Sequence, residues 1–208
     1  MDMSAIAALA PVIPVLTIER RVDAVPLAQA LVRGGLRVLE ITLRTPVALE
    51  ALRAIVSEVP DAIVGAGTVR DARQLDQARQ AGARFAVSPG CTPSLAIAAA
   101  AAGLPFLPGV QTVSEAMALA EQGHGLLKFF PADAAGGPGW LKAVAAPLAG
   151  LRFCPTGGIG PDSAPTYLAI ANVACVGGSW MVPREAVARC DWLHVERLAA
   201  AAAGLKRF

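Results

Sequence analysis

The sequence has few aromatic residues and lacks a long uninterrupted apolar segment. Phe, Trp and Tyr make up only 5% of the 208 residues, whereas hydrophobic residues make up 55%. The apolar core must therefore be built mainly from Ala, Val and Leu. No charged residue occurs between Arg84 and Glu115, but proline and glycine interrupt this segment before it reaches the roughly 18 residues of a membrane-spanning helix. The sequence therefore predicts no membrane span and no membrane partner.

The sequence also lacks the patterns of several common functional classes. The formal net charge of +2 is too small to predict a nucleic-acid partner. The cysteines are scattered and neither histidine has metal-ligand neighbours at a suitable spacing, so no metal site is expected and the thiols should be reduced. There is no P-loop and no nucleophile elbow, and no cofactor is predicted. Residues 1–4 lack the basic region of a signal peptide, so a cytoplasmic location is expected.

Strand-like and helix-like segments alternate along the whole chain, which predicts repeated strand–helix units. The predicted strands cover residues 12–17, 36–43, 62–66, 84–88, 105–108, 126–130, 152–155 and 173–176. The first predicted helix follows Asp23, which is expected to cap it, and ends near residues 34–35. The later predicted helices cover 46–58, 71–81, 92–102, 112–122, 140–146 and 161–170, with closing helices over 184–205. Eight such units predict an α/β protein with a (β/α)8 TIM barrel, as a single domain over residues 1–208. A doubly wound open sheet is the structural alternative, but no G-x-G-x-x-G segment supports it.

Lys128 is the only charged residue between Gly125 and Pro131, in a short apolar segment typical of a buried strand that ends in a turn. Removing an ammonium group from water is unfavourable, so burial favours the neutral amine, which can attack a carbonyl carbon and form a Schiff base. The alternative is a lysine at the end of a strand whose ammonium group reaches the solvent. In a barrel, functional groups lie at the C-terminal ends of strands, which is where Lys128 is predicted.

Glu40 is predicted to point toward Lys128 from the second strand. Strand alternation separates a wholly apolar face, which should contact helices, from the face that carries Glu40. Glu40 is then either a general acid/base or one member of a structural ion pair with Lys128 or Arg44. Arg44, just after this strand, has a planar guanidinium group that suits a carboxylate; a solvated loop arginine is the alternative.

Two glycine pairs follow the last two predicted strands. The segment 156–160 (Thr-Gly-Gly-Ile-Gly) precedes a helix, and Gly177, Gly178 and Ser179 follow the final predicted strand. Glycine lets backbone N–H groups approach an anion closely, and a helix N-terminus adds a favourable dipole. Because the loops after strands seven and eight are the usual phosphate site of a barrel, the two pairs together favour phosphate binding over ordinary turns.

Six segments of the chain, in this order, resemble motifs of the KDPG/KHG aldolase family. They are residues 38–45, 64–69, 86–90, 127–132, 152–159 and 177–180. The resemblance implies a (β/α)8 barrel, usually a homotrimer, that works as a class I aldolase through an imine. It also implies that Lys128 is the Schiff-base lysine and that Glu40 is the general base.

The resemblance further implies which residues hold the substrate. Arg44 and Thr68 would bind its carboxylate, and the glycine pairs with Ser179 would bind its phosphate. Strand alternation favours Phe130 over Phe129 as the ring that keeps the amine dry. The full predicted substrate-binding set is Arg44, Thr68, Pro89, Phe130, Thr156, Gly157, Gly158, Gly178 and Ser179.

The implied substrate is 2-keto-3-deoxy-6-phosphogluconate (KDPG), cleaved to pyruvate and glyceraldehyde 3-phosphate. A second implied substrate is 4-hydroxy-2-oxoglutarate, cleaved to pyruvate and glyoxylate. A phosphogalactonate-type aldolase is an alternative, but relatives of that type tend to have Pro and Asn where this chain has Thr42 and Arg44. Two further alternatives are a non-catalytic barrel that binds sugar phosphates, and a barrel lyase or epimerase that uses Lys128 only as an acid. Some relatives carry an additional arginine where this chain has Thr17, and Cys91 has no assigned role.

Overall fold

The computed structural model describes residues 1–206, and within them the chain forms nine strands and ten helices. The strands are β1 Val12–Leu16, β2 Val38–Thr42, β3 Ile63–Gly67, β4 Phe85–Val87, β5 Phe106–Leu107, β6 Gly109–Val110, β7 Leu126–Phe129, β8 Arg152–Pro155 and β9 Val176–Gly178. The helices are α1 Met3–Ala7, α2 Arg21–Arg33, α3 Ala48–Glu58, α4 Ala72–Gln80, α5 Pro93–Ala102, α6 Val113–Glu121, α7 Gly137–Val144, α8 Ala164–Leu168, α9 Arg184–Ala188 and α10 Trp192–Ala203.

The strands form two parallel sheets. One sheet has six strands in the order β5-β4-β3-β2-β1-β9, and the other has three strands in the order β6-β7-β8. Every pairing between strands is parallel, so the C-terminal ends of neighbouring strands meet at the same edge. The predicted alternation of strands and helices in an α/β fold is confirmed. The ladders within residues 1–206 do not form one continuous eight-stranded ring.

The strand predicted at 105–108 is divided into β5 and β6, which only Pro108 separates. The first part pairs with β4, and the second part pairs with β7. Proline has no backbone N–H and cannot donate to a ladder, which explains why the regular pairing stops there. Its carbonyl oxygen still accepts a 2.8 Å hydrogen bond from the N–H of Lys128.

Most predicted element boundaries differ from the observed ones by one to three residues, and two of the predictions need explicit correction. The strand predicted at 173–176 begins at Val176 and ends at Gly178, so Gly177 and Gly178 lie in this strand and not in a loop after it. Val173 makes only an isolated parallel bridge to Phe153. Asp23 does not cap α2, because that helix begins two residues earlier, at Arg21. The Asp23 carboxylate instead accepts two 2.8 Å hydrogen bonds from the guanidinium group of Arg20, and a bidentate arginine occupies both carboxylate oxygens.

Two clusters of buried side chains separate the faces of the sheets. The larger cluster lies between the strands and the helices and includes Leu39 and Ile41. The smaller one contains alternate residues from strands of both sheets, and we call the face that carries it the inner face. Its members are Met3, Ile6, Ala7, Ile13, Val38, Phe85, Val87, Leu107, Leu126, Cys154, Ala174 and Cys175. Both sheets therefore pack on a shared inner core, which α1 joins. Among residues 1–206, no helix combines the length and the apolar character needed to cross a bilayer.

Candidate active site

A buried lysine and a buried glutamate meet on the inner face. Lys128 lies on β7 and follows Leu126 of the inner cluster by two residues, while Glu40 lies on β2 two residues after Val38. Strand alternation therefore points both side chains inward. The Lys128 Nζ lies 3.2 Å from Glu40 Oε1, and each residue is only 3% exposed. An amine and a carboxylate thus share a site from which most water is excluded.

The two phenylalanines that follow Lys128 face opposite sides of β7. The ring centroid of Phe130 lies 5.3 Å from Lys128 Nζ, and the ring is partly buried. Phe129 points away from the inner face and stacks on Trp140 of α7, with ring centroids 4.2 Å apart. Phe130 is therefore the phenylalanine that lies beside the amine, and its role in keeping the amine dry stays a prediction.

The structure brings Arg44 and Thr68 together at the C-terminal ends of β2 and β3. The Arg44 Nε donates a 3.0 Å hydrogen bond to Thr68 Oγ1. Arg44 is exposed, and within residues 1–206 it makes no ion pair with Glu40, so the acidic partner of the lysine does not also neutralise the arginine. The guanidinium group remains available to a carboxylate ligand. Thr68 adopts a left-handed backbone conformation, with φ 57°, which is uncommon for threonine.

Thr17 and Thr42 join the C-terminal ends of the first two strands. The Thr42 Oγ1 donates a 2.9 Å hydrogen bond to the Leu16 carbonyl oxygen and lies 3.0 Å from Thr17 Oγ1. Thr42 is completely buried, whereas Thr17 is exposed. A cavity of about 660 Å³ begins beside Thr17 and Arg44 and extends toward Val182. Thr17 thus places a small hydroxyl side chain beside open space.

The two glycine pairs lie next to each other. An isolated parallel bridge joins Thr156 to Gly177, and a Cβ at Gly177 would overlap the Thr156 side chain. Gly157 and Gly158 have φ values of 101° and 78°, in the left-handed region that favours glycine. A Cβ at Gly158 would also overlap Cβ of Asp133, in the loop after β7. The loop after β8 is therefore adjacent to the C-terminal end of β9.

Several backbone donors at these loops lack a partner. The N–H groups of Gly158, Ile159 and Ser179 donate no hydrogen bond to an acceptor within residues 1–206. Gly178 lies at the end of β9, immediately before Ser179, which is exposed. Convergent backbone N–H groups are well suited to the oxygens of an anion such as phosphate.

Pro89 lies beside the strand that pairs with the lysine strand. A Cβ at Gly109 would overlap the Pro89 backbone, and Gly109 is the residue opposite Lys128 in the β6–β7 register. Ser88, which is completely buried, accepts a 3.3 Å hydrogen bond from the N–H of Gly109. The Ser-Pro-Gly segment is thereby held against β6, the strand that pairs with the lysine strand β7.

The remaining candidate groups lie elsewhere. His124 precedes β7, at its N-terminal end, where its ring packs edge-on against Phe106 and burial lowers the pKa of its imidazole. Within residues 1–206, no three metal-ligating side chains converge on one point. Cys91 follows the Ser-Pro-Gly segment, and partial burial raises the pKa of its thiol. Nothing in the structure assigns Cys91 a role.

Sequence reasoning missed one residue that contacts the site. Gly67 lies in the segment 64–69, which resembles the aldolase family, but the sequence alone predicts no role for this residue. A Cβ at Gly67 would overlap the Glu40 carboxylate, so the missing side chain leaves the space that this carboxylate occupies. The spacing Gly-Ala-Gly at the end of β3, opposite an acidic residue on β2, is the signal that could have identified it.

Comparisons with known proteins agree on one family. A sequence profile described as KDPG and KHG aldolase matches residues 3–198. The chain is 51% identical over 189 residues to the KHG/KDPG aldolase of Escherichia coli strain K12, with 91% of this chain and 89% of that protein covered.

Two solved structures are similar over almost their full length. One is a KDPG aldolase from Legionella pneumophila with pyruvate captured at low pH as a covalent carbinolamine intermediate; its TM-score is 0.96 at 47% identity, covering 98% of this chain and 99% of that one. The other is the 2-keto-3-deoxy-6-phosphogluconate aldolase of Zymomonas mobilis ZM4 with 3-phosphoglycerate; its TM-score is 0.95 at 50% identity, covering 99% and 97%.

Proposed function

Because the chain belongs to the KDPG and KHG aldolase family, we propose that it is a class I aldolase that cleaves KDPG to pyruvate and glyceraldehyde 3-phosphate. The observation that carries this proposal is the pair of buried groups on the inner face, with Lys128 Nζ 3.2 Å from Glu40 Oε1. The relative named KHG/KDPG aldolase supports 4-hydroxy-2-oxoglutarate as a second substrate.

The reaction begins at the Lys128 amine. It attacks the C2 ketone of the substrate to give a carbinolamine, and loss of water gives a protonated imine. The imine draws the electron pair of the C3–C4 bond as that bond breaks, while Glu40 takes the proton of the C4 hydroxyl group. Glyceraldehyde 3-phosphate leaves, and the enamine on Lys128 is protonated at C3. Addition of water to the resulting imine releases pyruvate and restores the amine.

The substrate is held at both ends. Arg44 and Thr68 bind the carboxylate, and the N–H groups of the segment 157–159 and of Ser179, with Gly178, bind the phosphate. Pro89, Thr156 and Phe130 line the space between them, where Phe130 limits access of water to the amine. Holding the ketone beside a nucleophile can lower a reaction barrier by several kcal/mol, since the entropy of association has already been lost on binding.

The two sheets together form the closed (β/α)8 barrel of one domain. Three observations support this closure: Pro108 alone separates β5 from β6, parallel bridges connect the segment of β8 to residues 173 and 177, and strands of both sheets share the inner core. The assembly is a homotrimer and its location is cytoplasmic. Sedimentation equilibrium should therefore give a mass three times that of the 21.2 kDa chain, and a mass of one chain would contradict the trimer.

Imine trapping tests the proposed function. Reduction with borohydride in the presence of pyruvate should add a stable pyruvate-derived mass to the peptide that contains Lys128. The Lys128→Arg variant should neither trap pyruvate nor cleave KDPG, because a guanidinium group stays protonated. Lys142→Arg, on the exposed surface of α7, is the matched control and should retain both properties. Full activity of Lys128→Arg, or a metal requirement, would contradict the mechanism.

A further inference from the structure

The Glu40 side chain fills the space that a side chain at position 67 would need, between β2 and β3. A Cβ added at Gly67 would overlap Glu40 Oε1 and lie 2.5 Å from Cγ and 2.7 Å from Cδ of that side chain. Oε1 is the same oxygen that lies 3.2 Å from Lys128 Nζ. One extra methyl group would therefore occupy the place from which the carboxylate contacts the amine.

The backbone gives no reason for a glycine at this position. Gly67 is the last residue of β3, opposite Thr42 in the parallel register, and its φ lies outside the left-handed region. Any residue can adopt this extended conformation. What requires glycine at position 67 is the space taken by a side chain of the neighbouring strand.

The backbone around Gly67 cannot easily move away. The N–H of Leu43 donates a 2.8 Å hydrogen bond to the Gly67 carbonyl oxygen, which ties the two strands together at this residue. The end of the Glu40 side chain is more mobile than a paired strand, because it can rotate about its own torsion angles. A methyl group at position 67 would consequently displace the carboxylate and leave the sheet in place.

We infer that Gly67 is a positioning residue, which holds the Glu40 carboxylate at the distance from Lys128 that proton transfer requires. This inference rests on the proposed aldolase function, in which Glu40 takes the C4 hydroxyl proton. Displacing a catalytic group by about 1 Å can reduce a rate about 100-fold. The residue at position 67 thus controls the rate of carbon–carbon bond cleavage through the place that it leaves for the Glu40 carboxylate.

The Gly67→Ala variant tests this inference. Its kcat for KDPG cleavage should fall about 10- to 100-fold with KM changed less than about threefold, since substrate contacts are retained. Borohydride trapping of pyruvate on Lys128 should persist, which shows that the protein remains folded around its nucleophile. Gly125→Ala is the matched control, because a Cβ there meets nothing within 4 Å; it should leave kcat and KM within about twofold.

Repeating the Gly67 substitution in a Glu40→Asp variant distinguishes a displaced carboxylate from a general loss of structure. Glu40→Asp shortens the side chain by one methylene group and withdraws the carboxylate from position 67. In that background, adding Gly67→Ala should lower kcat by less than about threefold, because the two changes act on one volume and are not additive. Equal losses in both backgrounds, or an unchanged kcat in Gly67→Ala alone, would overturn the inference. Failure of the unaltered protein to cleave KDPG and to trap pyruvate would instead overturn the proposed function.

Discussion

At the scale of single residues, the central feature is a buried ion pair, a feature that is not expected to add much to stability. The Lys128–Glu40 pair has lost nearly all contact with water, since its side chains are 4% and 3% exposed. Removing two charges from water is unfavourable, and replacing such pairs by apolar residues often leaves stability unchanged or improves it. The pair is therefore better explained by chemistry than by folding. The two phenylalanines that follow Lys128 also differ in role, because successive residues of a strand face opposite sides. Phe129 packs in the core against Trp140, whereas Phe130 lies beside the amine.

Truncating each phenylalanine should separate stability from activity. Phe129→Ala should lower the free energy of unfolding by about 3–5 kcal/mol, because a completely buried ring stacked on Trp140 is lost. Phe130→Ala should lower it by less, since that ring is partly exposed, but should slow the trapping of pyruvate on Lys128. Urea denaturation and the rate of borohydride trapping measure the two effects. Equal losses of stability and trapping in both variants would contradict this assignment.

At the scale of elements, the ends of helices and strands carry specific hydrogen bonds that the local sequence encodes. Helix α6 begins with a capping box, in which the Thr112 hydroxyl accepts from the N–H of Glu115 and the Glu115 carboxylate accepts from the N–H of Thr112. Helix α5 likewise ends at Gly103 in the left-handed conformation. These contacts are local, so a few neighbouring residues suffice to specify them.

The capping carboxylate should make stability depend on pH. Hydrogen bonds from the backbone N–H groups of Gln111 and Thr112 lower the pKa of Glu115 in the folded protein. The unfolded chain therefore binds this proton more readily, so the stabilisation is present above the ordinary pKa of about 4.3 and is lost as the pH falls through the lower, folded-state pKa. Between about pH 5 and 3, the free energy of unfolding of Glu115→Gln should decrease less than that of the unaltered protein. Parallel urea titrations of the two proteins would disprove this if their decreases were equal.

The glycine loop after β8 should discriminate between the two proposed substrates. Gly158→Ala places a β-carbon against Asp133 at a left-handed φ of 78°, which shifts the N–H groups that we propose to bind phosphate. The KM for KDPG should rise about tenfold or more, as expected for lost hydrogen bonds to a charged group. The KM for 4-hydroxy-2-oxoglutarate, which has no phosphate, should change less than about twofold.

Gly160→Ala is the matched control for this loop, because a β-carbon there meets nothing within 4 Å and its φ lies outside the left-handed region. The control should leave both KM values within about twofold. An equal increase in KM for both substrates in Gly158→Ala would mean that the loop supports the whole site and does not bind the phosphate.

At the scale of the whole molecule, the packing of the two sheets determines how exposed each cysteine is. All four are thiols, of which Cys154 and Cys175 are buried on the inner face, Cys91 is partly buried and Cys190 is exposed. Folding therefore protects two thiols completely and leaves two in contact with solvent.

Thiol titration should report this arrangement. In the native protein at about pH 8, Ellman's reagent should react quickly with Cys190 and more slowly with Cys91, because burial raises the pKa of the Cys91 thiol and lowers its thiolate fraction. Cys154 and Cys175 should react only after denaturation. Fast reaction of all four thiols in the native protein would contradict the described packing, and the Cys190→Ser variant identifies the fast phase.

The sequence alone determined the features that depend on near neighbours. The period of apolar residues specified the order of strands and helices, and strand alternation specified that Glu40, Lys128 and Phe130 face inward. The glycine pairs and the capping box could be identified in the same way, because each involves residues within a few positions of one another.

The tertiary structure alone decided which distant groups meet. Lys128 and Glu40 are 88 residues apart, and their 3.2 Å contact depends on two strands that no local pattern joins. Only the packed strands show that Gly67 makes room for Glu40, that Pro108 divides a strand between two partners, and that Arg20 occupies the carboxylate of Asp23. The physical reason is that local propensities act over a few residues. The space available to a side chain and its hydrogen-bond partners are instead set by segments of the chain that meet only after folding.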